Sequence, residues 1–555
     1  MKQKQKTGRY KIKLMLLFCS CFFFTHFANA QNFTIFSDKS IGGDLDERNG
    51  KILFDNVNGL IVHGESWTNI SGDKLDPNCD PSSGQKDLWF LKLDTALNVV
   101  WQNDIGGSFT EQFSNANFSN QTGQLLFSCE SHSDSSCDKS SNHWSNGLSF
   151  WDYWIGQLDS SGAVIWEKTL GSTGLENKPE LIQFANGNCL VCGISGLGGI
   201  SGDKSVNDIG FNDVWCVMLD SLHTKIWDKV YGGTGSESNS NFDLLKDTNG
   251  SFICTVGTPS PTSGSITDSS RGGADIWVIK IDSAGNKMWD KRFGGNSQDF
   301  SNMIIATNDN GYLIGGNTTS QMGFEVSEPP LGSTFSDIWI VKTDSIGNKQ
   351  WDKRFGGAAQ EYNVWVEQDF DGGYLVGCTT LSDSGYSISE HAYGSSDYWI
   401  LKIDSLGNKI WDKRFGGSGN NVFTSFTVLP DSSIVLMGHA DSGLSAVKTD
   451  PGHGGFDFWL IRFKYENNSS GFNEFNSSTN LVSVYPNPTS GEITISPMGT
   501  FRPDEFYLYD ATGRIIYFDE LNDNTIDISK YPPALYFYEI KSRDGIKAYG
   551  KLLKQ

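Results

Sequence analysis

The sequence is short of positive charge and of long apolar runs, and each shortage excludes a class of protein. Only 43 Lys and Arg residues accompany 65 Asp and Glu in the 555-residue chain, which gives a net charge of −22. An acidic surface repels phosphate and anionic lipid, so neither nucleic acid nor a membrane surface is expected as a partner. Beyond residue 30, no run approaches the roughly 20 apolar residues of a membrane-spanning helix. The 37% of hydrophobic residues nevertheless suffice for a large core.

Recognisable catalytic motifs are also missing. The sequence contains no G-x-S-x-G nucleophile elbow, no H-E-x-x-H zinc motif, no phosphate-binding loop and no C-x-x-C-H haem site. The eight histidines form no recognisable group. A pair of carboxylates for glycoside hydrolysis stays open as an alternative, because such a pair needs only a separation of about 5 to 9.5 Å.

Residues 1–30 have the three parts of a secretory signal peptide. A basic stretch from Lys2 to Lys13 precedes an apolar stretch from Leu14 to Phe24, and Ala28-Asn29-Ala30 supplies an A-x-A cleavage site. The apolar stretch is about half the roughly 20 residues that cross a bilayer, so we expect the leader to be removed. The mature protein is therefore expected to be exported and to lack a transmembrane segment.

The C-terminal part forms a separate unit behind a linker. Residues 466–480 are rich in Asn and Ser and predict the linker, and residues 481–555 show short strands and glycine turns that predict a small β-sandwich. Its motifs are Tyr485-Pro486-Asn487-Pro488, Thr512-Gly513-Arg514, Tyr536-Phe537 and the ending Lys551-Leu552-Leu553-Lys554. With these motifs, the unit resembles the type A C-terminal sorting domain of type IX secretion substrates in Bacteroidota. The resemblance implies recognition by the type IX machinery and a sortase, followed by release or attachment at the outer cell surface.

The body, residues 31–465, repeats one unit seven times. A D-x-W motif recurs every 60 to 65 residues, at Trp89, Trp154, Trp215, Trp277, Trp339, Trp399 and Trp459. A second tryptophan follows twelve positions later in the first six units, and the string WDKRFGG occurs three times. A period near 60 with strand-like, aromatic segments predicts a β-propeller with four strands, a to d, in each blade.

The two ends of the body complement each other. The seventh unit stops after its third strand, Phe458–Arg462, and Ile35–Gly43 near the mature N-terminus parallels the missing WDKRFGG strand. We therefore predict an all-β fold, a seven-bladed β-propeller in which the N-terminal strand closes the last blade. The units resemble those of secreted Bacteroidota propellers and, more distantly, quinoprotein repeats. A quinone-dependent dehydrogenase is disfavoured, because those enzymes have eight units and an adjacent Cys-Cys pair, whereas this chain has seven units and no such pair.

Function is expected on the long connections between strands b and c, which vary from copy to copy. These segments are Glu65 to Lys86, Glu130 to Phe150, Ser195 to Asn212, Thr258 to Ala274, Thr318 to Ser336, Thr379 to Ser396 and Ala440 to Gly455. Trp67, Trp144 and the neighbouring His143 lie in them as candidate ligand contacts, because an exposed aromatic ring can stack on a sugar or a peptide side chain. The alternative is that these residues only hold their own loops.

A second candidate set recurs four residues after each Gly-Gly, or after Gly171-Ser172 in one copy. Its members are Glu47, Glu111, Glu176, Glu237, Asp299 and Glu361, with Asn421 in the seventh copy. If the six acids converge on the axis, they form a site for Ca²⁺, which prefers carboxylate oxygens. The alternative is a structural latch, in which each acid binds the backbone amides of its own glycine turn. No other cofactor is expected.

Eight cysteines remain in the mature chain. Cys129 and Cys137 flank a short loop and form the predicted disulfide, since an exported protein meets an oxidising compartment. Cys189 and Cys192 point to opposite faces of one strand, and the strand cysteines are expected to be buried apolar residues. From all of this, we expect a non-catalytic, type IX-exported propeller that binds an extracellular glycan or protein. The alternative is a secreted hydrolase acting on polysaccharide.

Overall fold

The computed structural model describes most of the body and much of the C-terminal unit. It covers residues 32–55, 59–80, 84–119, 123–144, 150–237, 241–247, 250–332, 335–445, 447–466, 482–485, 489–497, 502–509, 515–521, 524–532, 534–543 and 547–554. The predicted leader lies outside these residues, and so does the predicted linker from residue 467 onwards. One compact unit comprises Phe33–Tyr465, and the C-terminal residues belong to a second unit.

The first unit consists of seven four-stranded antiparallel sheets, which we number as blades 1 to 7. Strand β1 (Asn32–Ile41) precedes blade 1 in the chain. Blade 1 is β2 (Glu47–Phe54), β3 (Gly59–Ser66), β4 (Asp87–Asp94) and β5 (Val99–Ile105); blade 2 is β6 (Glu111–Phe118), β7 (Leu125–Ser131), β8 (Asp152–Leu158) and β9 (Val164–Leu170). Blade 3 is β10 (Leu175–Gln183), β11 (Cys189–Gly196), β12 (Asn212–Leu219) and β13 (Lys225–Tyr231); blade 4 is β14 (Asp243–Lys246), β15 (Phe252–Thr258), β16 (Asp275–Ile281) and β17 (Lys287–Phe293).

The remaining blades repeat the same order of strands a, b, c and d. Blade 5 is β18 (Asp299–Ala306), β19 (Tyr312–Thr318), β20 (Asp337–Thr343) and β21 (Lys349–Phe355); blade 6 is β22 (Glu361–Gln368), β23 (Tyr374–Thr380), β24 (Asp397–Ile403) and β25 (Lys409–Phe415). Blade 7 is β26 (Asn421–Val428), β27 (Ile434–Ala440) and β28 (Asp457–Glu466), with β1 as its strand d. The N-terminal strand therefore completes the last sheet.

Contacts between the first and last blades join the two ends of the array. The ring of Trp89 in blade 1 stacks on Phe458 in blade 7, with ring centroids 5.8 Å apart. Within blade 7, the indole Nε1 of Trp459 donates to Asp38 of the N-terminal strand over 3.2 Å. Pairing with β1 gives β28 a neighbour on both sides, so β1 takes the outer edge of this sheet as strand d does in the other blades.

The repeated tryptophans build the core between blades. All seven D-x-W tryptophans are fully buried, in strands whose two faces are both apolar because another blade covers each of them. In blades 4 to 6 the buried indole Nε1 also finds a hydrogen-bond partner, since the aspartate after the second tryptophan accepts from it, as Asp352 does from Trp339 over 2.9 Å. The W-D pairs of the sequence thus satisfy the polar atom of the largest core side chain.

Strand a of each blade lies along the axis and is bulged near its start in six of the seven blades. Register shifts occur between Arg48 and Lys51 in β2 and at equivalent positions in β6, β10, β18, β22 and β26. A bulge re-aims the side chains around it. In three blades it holds a non-glycine residue with a left-handed φ, namely Asn49, Lys178 and Asn363.

The described part of the C-terminal unit is a small β-sandwich. One sheet contains β29 (Val482–Tyr485), β30 (Glu492–Pro497) and β33 (Thr525–Asp527); the other contains β31 (Pro503–Tyr509), β32 (Ile515–Glu520), β34 (Ala534–Ser542) and β35 (Lys547–Lys554). Buried residues of both sheets, such as Ile493 and Phe506, share one core. None of the residues described in either unit forms a helix that is long and apolar enough to cross a membrane.

Candidate functional site

The b–c loops lie on one face of the propeller, the long-loop face, and recurring hydrogen bonds pin them at both ends. Near its start each loop makes a tight turn, and in blade 1 the N–H of Asp73 in that turn donates to the carbonyl oxygen of Gly42, on blade 7, over 2.8 Å. Near its end the loop donates an N–H to the D-x-W aspartate, as Cys79 does to Asp87 over 2.6 Å. The residues between these pins form the surface of the face.

Two exposed aromatic residues of this face have a left-handed backbone φ, a conformation that favours glycine. The second residue of the tight turn has a left-handed φ in six blades; it is Gly72, Gly202 and Gly264 in three of them, and Cys137, Phe324 and Tyr386 in the others. This conformation costs a residue with a Cβ about 1 to 2 kcal/mol. Cys137 is held by a disulfide, whereas Phe324 and Tyr386 are 70% and 69% exposed. The strained backbone at these two positions therefore presents a large aromatic side chain to solvent rather than to the core.

Large apolar side chains are exposed on six of the seven described b–c loops. They are Ile70, Leu75, Trp144, Leu197, Ile200, Ile209, Phe211, Met322, Phe324, Phe335, Leu381, Tyr386, Tyr393 and Leu444. The described part of the blade 4 loop contributes none to this set. Apolar residues grouped on one face and rimmed by polar loops are typical of an interaction surface.

The three aromatic residues predicted as ligand contacts have different environments. Trp144 is 46% exposed, and its backbone N–H is anchored on Asp152. The side chain of His143 is buried, with Nδ1 3.0 Å from Oδ1 of Asp134. Trp67 is half-buried under the Lys86 ammonium, which lies 5.0 Å from the ring centroid. Trp144 is therefore the most exposed of the three, and their contact with a ligand stays a prediction.

The six repeated acids are separate from one another, and each one holds its own glycine turn. Glu361 is typical: Oε2 accepts from the N–H of Gly357, and Oε1 accepts from the hydroxyls of Thr380 and Ser382 over 2.8 and 2.6 Å. The same bond to the N–H four residues earlier is made by Glu47, Glu111, Glu176, Glu237 and Asp299. Asn421 instead donates Nδ2 to the carbonyl oxygens of Ser396 and Gly417. Among the described residues, no group of three or more metal-ligating side chains contains any of the six acids.

Each of these acids lies beside the D-x-W aspartate of the preceding blade, so carboxyl groups meet in pairs. A Cβ placed on Gly356 would lie 2.3 Å from Oε2 of Glu361 and 3.0 Å from Oδ1 of Asp337, which is why glycine is needed there. Burial raises the pKa of Glu361 to about 7, against three opposing hydrogen bonds, and the charge of Asp337 adds to the increase. Burial likewise raises the pKa of Asp337 to about 6. Such a pair favours holding a proton near neutral pH.

A buried cation accompanies the aspartate in every blade, and it comes from two different places in the sequence. Blades 1, 2, 3 and 7 use a lysine of the b–c loop, and blades 4, 5 and 6 use an arginine of strand d; the residues are Lys74, Lys139, Lys204, Lys448, Arg292, Arg354 and Arg414. Lys139 and Arg354 donate to equivalent carbonyl oxygens, those of Ser133 and Ser320, over 2.7 and 2.6 Å. Where the arginine is present, the loop position is Ile or Val. The two cations therefore substitute for each other in space.

The predicted disulfide between Cys129 and Cys137 is wrong. Cys137 pairs with Cys79, in the b–c loop of the neighbouring blade, with their Cα atoms 6.1 Å apart. Cys129 is a buried free thiol inside strand β7 and does not pair with Cys137 of the loop. The strand cysteines are not all unpaired either, because Cys192 and Cys216 stand opposite each other in β11 and β12 and form a second disulfide.

A polar cavity of about 330 Å³ opens on the axis, lined by all seven blades. Most of its side chains come from positions one to four residues after the latch position, where the bulges turn strand a towards the axis. They include Lys51 and Glu180 together with an amide in most blades. This site was not predicted from the sequence, although Asn residues recur just after the latch position in several of the seven copies.

Comparison with known families locates a sorting domain at the C-terminus. The model of the secretion system C-terminal sorting domain matches residues 483–555, which include the described sandwich. The chain is therefore a substrate of the type IX secretion system and is exported to the cell surface or the extracellular space, as predicted from its motifs.

Similarities of the body are remote. The regulatory protein FlaEY of Caulobacter vibrioides is 22% identical over 186 residues, which cover 32% of this chain and 19% of that protein. The WD40 domain of Neurospora crassa Pan2 superposes with a TM-score of 0.40 at 9% identity, covering 78% of this chain and 94% of that one. The phage phi92 endosialidase gives 0.39 at 10% identity, covering 95% and 79%. None of these values bears on activity.

Proposed function

We propose that this exported protein is a non-catalytic binding propeller that recognises an extracellular glycan or protein through its long-loop face. The observation that carries the proposal is the pair Phe324 and Tyr386, which are strongly exposed although their backbone conformation favours glycine. Glycine occupies the same position in three other blades, so the aromatic side chains are dispensable for the turn. A cost of about 1 to 2 kcal/mol at each position is retained only where the side chain contributes something else.

The chemistry of the face suits either class of partner. Aromatic rings stack on the apolar faces of sugars and also fill pockets on proteins. The loops around them are pinned by the D-x-W aspartates, as Tyr393 is by Asp397 over 2.9 Å, so little ordering entropy is lost on binding. The strong negative charge of the chain favours a neutral or basic partner over an anionic one.

The test compares the mature wild-type protein with the double variant Phe324→Gly/Tyr386→Gly on an array of purified polysaccharides and glycoproteins. Glycine relieves the left-handed strain, so the variant should keep its melting temperature within about 2 °C, because relief of strain offsets the added freedom of the unfolded chain. The affinity of the double variant for those array spots that the wild type binds should fall at least tenfold. Phe370→Ser is the matched control, because Phe370 is 69% exposed but lies in an a–b turn on the opposite face.

Two outcomes would overturn the proposal. Equal binding by the wild type and the double variant would show that the aromatic pair takes no part. Release of reducing sugar from a polysaccharide on the same panel would instead favour the alternative of a secreted hydrolase.

A further inference from the structure

The axial cavity differs from the long-loop face in chemistry, because hydrogen-bonding amides dominate it. Six of its lining side chains are amides: Asn49, Gln112, Asn115, Asn241, Asn302 and Asn363. An amide offers both donors and acceptors, whereas a hydrophobic pocket offers neither. At about 330 Å³, the cavity lies at the lower end of the range for small-molecule sites.

Two lysines and three acids line the cavity, and burial together with the charge of Asp243 raises the pKa of Glu180, which favours its neutral form and brings the charges close to balance. Lys51 acts on both Glu180 and Asp243, and burial raises the pKa of Asp243 to about 6 against the Ile304 N–H and Lys51. Glu130 accepts from the backbone N–H of Lys178 over 2.8 Å. A neutral, polar occupant therefore fits this charge distribution better than an anion or a metal cation.

Several amides are fixed in orientation by the protein itself. Nδ2 of Asn115 donates to Glu180 over 3.0 Å, and Nδ2 of Asn363 donates to the carbonyl oxygen of Phe423 over 3.2 Å. These bonds leave the side-chain carbonyl oxygens as acceptors. Oδ1 of Asn302 is buried and has no hydrogen-bond partner within the described part of the chain. A buried acceptor of this kind requires a donor from a bound molecule or from water.

One wall of the cavity is aromatic. The indole of Trp365 lines it, half-buried, with the Lys51 ammonium 5.8 Å from the ring centroid. A molecule that presents hydroxyl groups on its edges and C–H groups on its faces matches fixed amides and an indole together. Sugars have this arrangement.

We propose that the axial cavity binds a single sugar residue, free or at the end of a glycan. The lining positions of strand a lie between its start, at the long-loop face, and its middle residues, such as Lys51 and Trp365. Asn49 and Asn241 are exposed, which gives a bound sugar a path to solvent. This inference rests on the proposed function with a glycan as the ligand. It adds a site for the terminal sugar of that glycan, next to the aromatic residues of the long-loop face.

The test uses the full mature protein and methyl glycosides of the common hexoses and N-acetylhexosamines, followed by saturation-transfer NMR and calorimetry. We expect at least one glycoside to bind. Asn302→Ala should weaken it about tenfold, because one buried hydrogen bond is lost. Asn302→Phe should abolish it by filling the space. Asn286→Ala, in an exposed c–d turn, is the control and should bind like the wild type.

The outcomes separate this proposal from the one about the loops. If Phe324→Gly/Tyr386→Gly loses binding to the polymer array but keeps the monosaccharide, both proposals are supported. If the wild type binds the array but no glycoside, or if a folded Asn302→Phe protein still binds the glycoside, the cavity is a solvent channel and only this inference fails. If the wild-type protein binds only the protein part of the glycoproteins on the array and no glycan, the sugar assignment fails at both sites.

Discussion

Replacing the latch residue Glu361 by Gln tests whether the acids that join neighbouring blades carry protons. Glu361 is fully buried, and its two oxygens accept from one backbone N–H and two hydroxyls. Burial and the charge of Asp337 raise its pKa from 4.5 to about 7. Gln has nearly the same shape as the protonated acid but cannot ionise, so the two proteins should respond differently to pH.

The expected magnitudes follow from the sign of this shift. Because the folded chain holds the proton more tightly than the unfolded chain, the wild type is stabilised fully below pH 4.5 and loses that stability as the pH rises through 7. The rise of the Glu361 pKa from 4.5 to about 7 corresponds to about 3 kcal/mol of folding free energy. In Glu361→Gln, an NH₂ group faces the Gly357 N–H, which removes one hydrogen bond. Relative to the wild type with Glu361 protonated, this costs the variant about 1 to 3 kcal/mol at every pH.

The assay is differential scanning calorimetry of both proteins at pH 5.5 and 8.5. For a unit of roughly 430 residues, 1 kcal/mol changes the melting temperature by about 1 °C. Glu361→Gln should therefore melt about 1 to 3 °C below the wild type at pH 5.5 and at nearly the same temperature at pH 8.5. Asn421→Asp is the converse control, because a carboxylate facing the Ser396 and Gly417 carbonyl oxygens should become more destabilising as the pH rises.

Two results would contradict this reasoning. A loss of melting temperature that is equal at both pH values would show that Glu361 holds no proton in this range. An unchanged melting temperature together with lost calcium binding in titration calorimetry would favour the metal site that the sequence left open.

Two further sets of substitutions test the disulfide and the exchange of cations. Cys137→Ser should lower the melting temperature, because closing a loop with a sequence separation of 58 stabilises by up to about 4 kcal/mol, whereas Cys129→Ser should leave the peptide linked through Cys79 intact in non-reducing mass spectrometry. Recovery of a peptide joining Cys129 to Cys137 would refute the pairing. Arg354→Thr leaves a buried aspartate without its cation and should cost about 3 to 5 kcal/mol, and the added change Val326→Lys should recover most of the loss in urea unfolding. Failure of that rescue would show that the two cations occupy different places.

Repetition made the fold predictable from the sequence. Seven copies of D-x-W, with turn residues at constant offsets, specify four strands per unit, and the truncated seventh copy predicts that the N-terminal strand belongs to the last sheet. The sorting domain was predictable for a different reason, since its motifs are short and strongly patterned. In both cases the pattern that predicts the fold is local or periodic in the sequence. It can be recognised without knowing which side chains meet across the axis.

The sites were predictable only in part, because they depend on where bulges and turns direct a side chain. The latch acids and the cavity amides are one to four residues apart along the chain, yet Glu361 points into its glycine turn while Asn363 lines the axis. A bulge with a left-handed φ at Asn363 separates the two directions. Asn tolerates this conformation, but Lys178 adopts it at the equivalent position, so residue type alone does not locate the bulge. The pairing of Cys79 with Cys137 depends in turn on the contact between two blades, which sequence spacing does not contain.

Differences among the copies distinguish structural from functional positions. The buried cation moves between a loop lysine and a strand arginine, but in blades 2 and 5 the two donate to equivalent carbonyl oxygens, so this variation is compensated and structural. Phe324 and Tyr386 differ from glycine at the same turn without any compensating change, and they bury no core surface. Uncompensated variation that adds strain gives the fold no benefit, and this is the reason for proposing that these side chains contact another molecule. The axial amides also vary in kind and position from blade to blade, and the Asn302 variants test whether that variation serves a bound sugar.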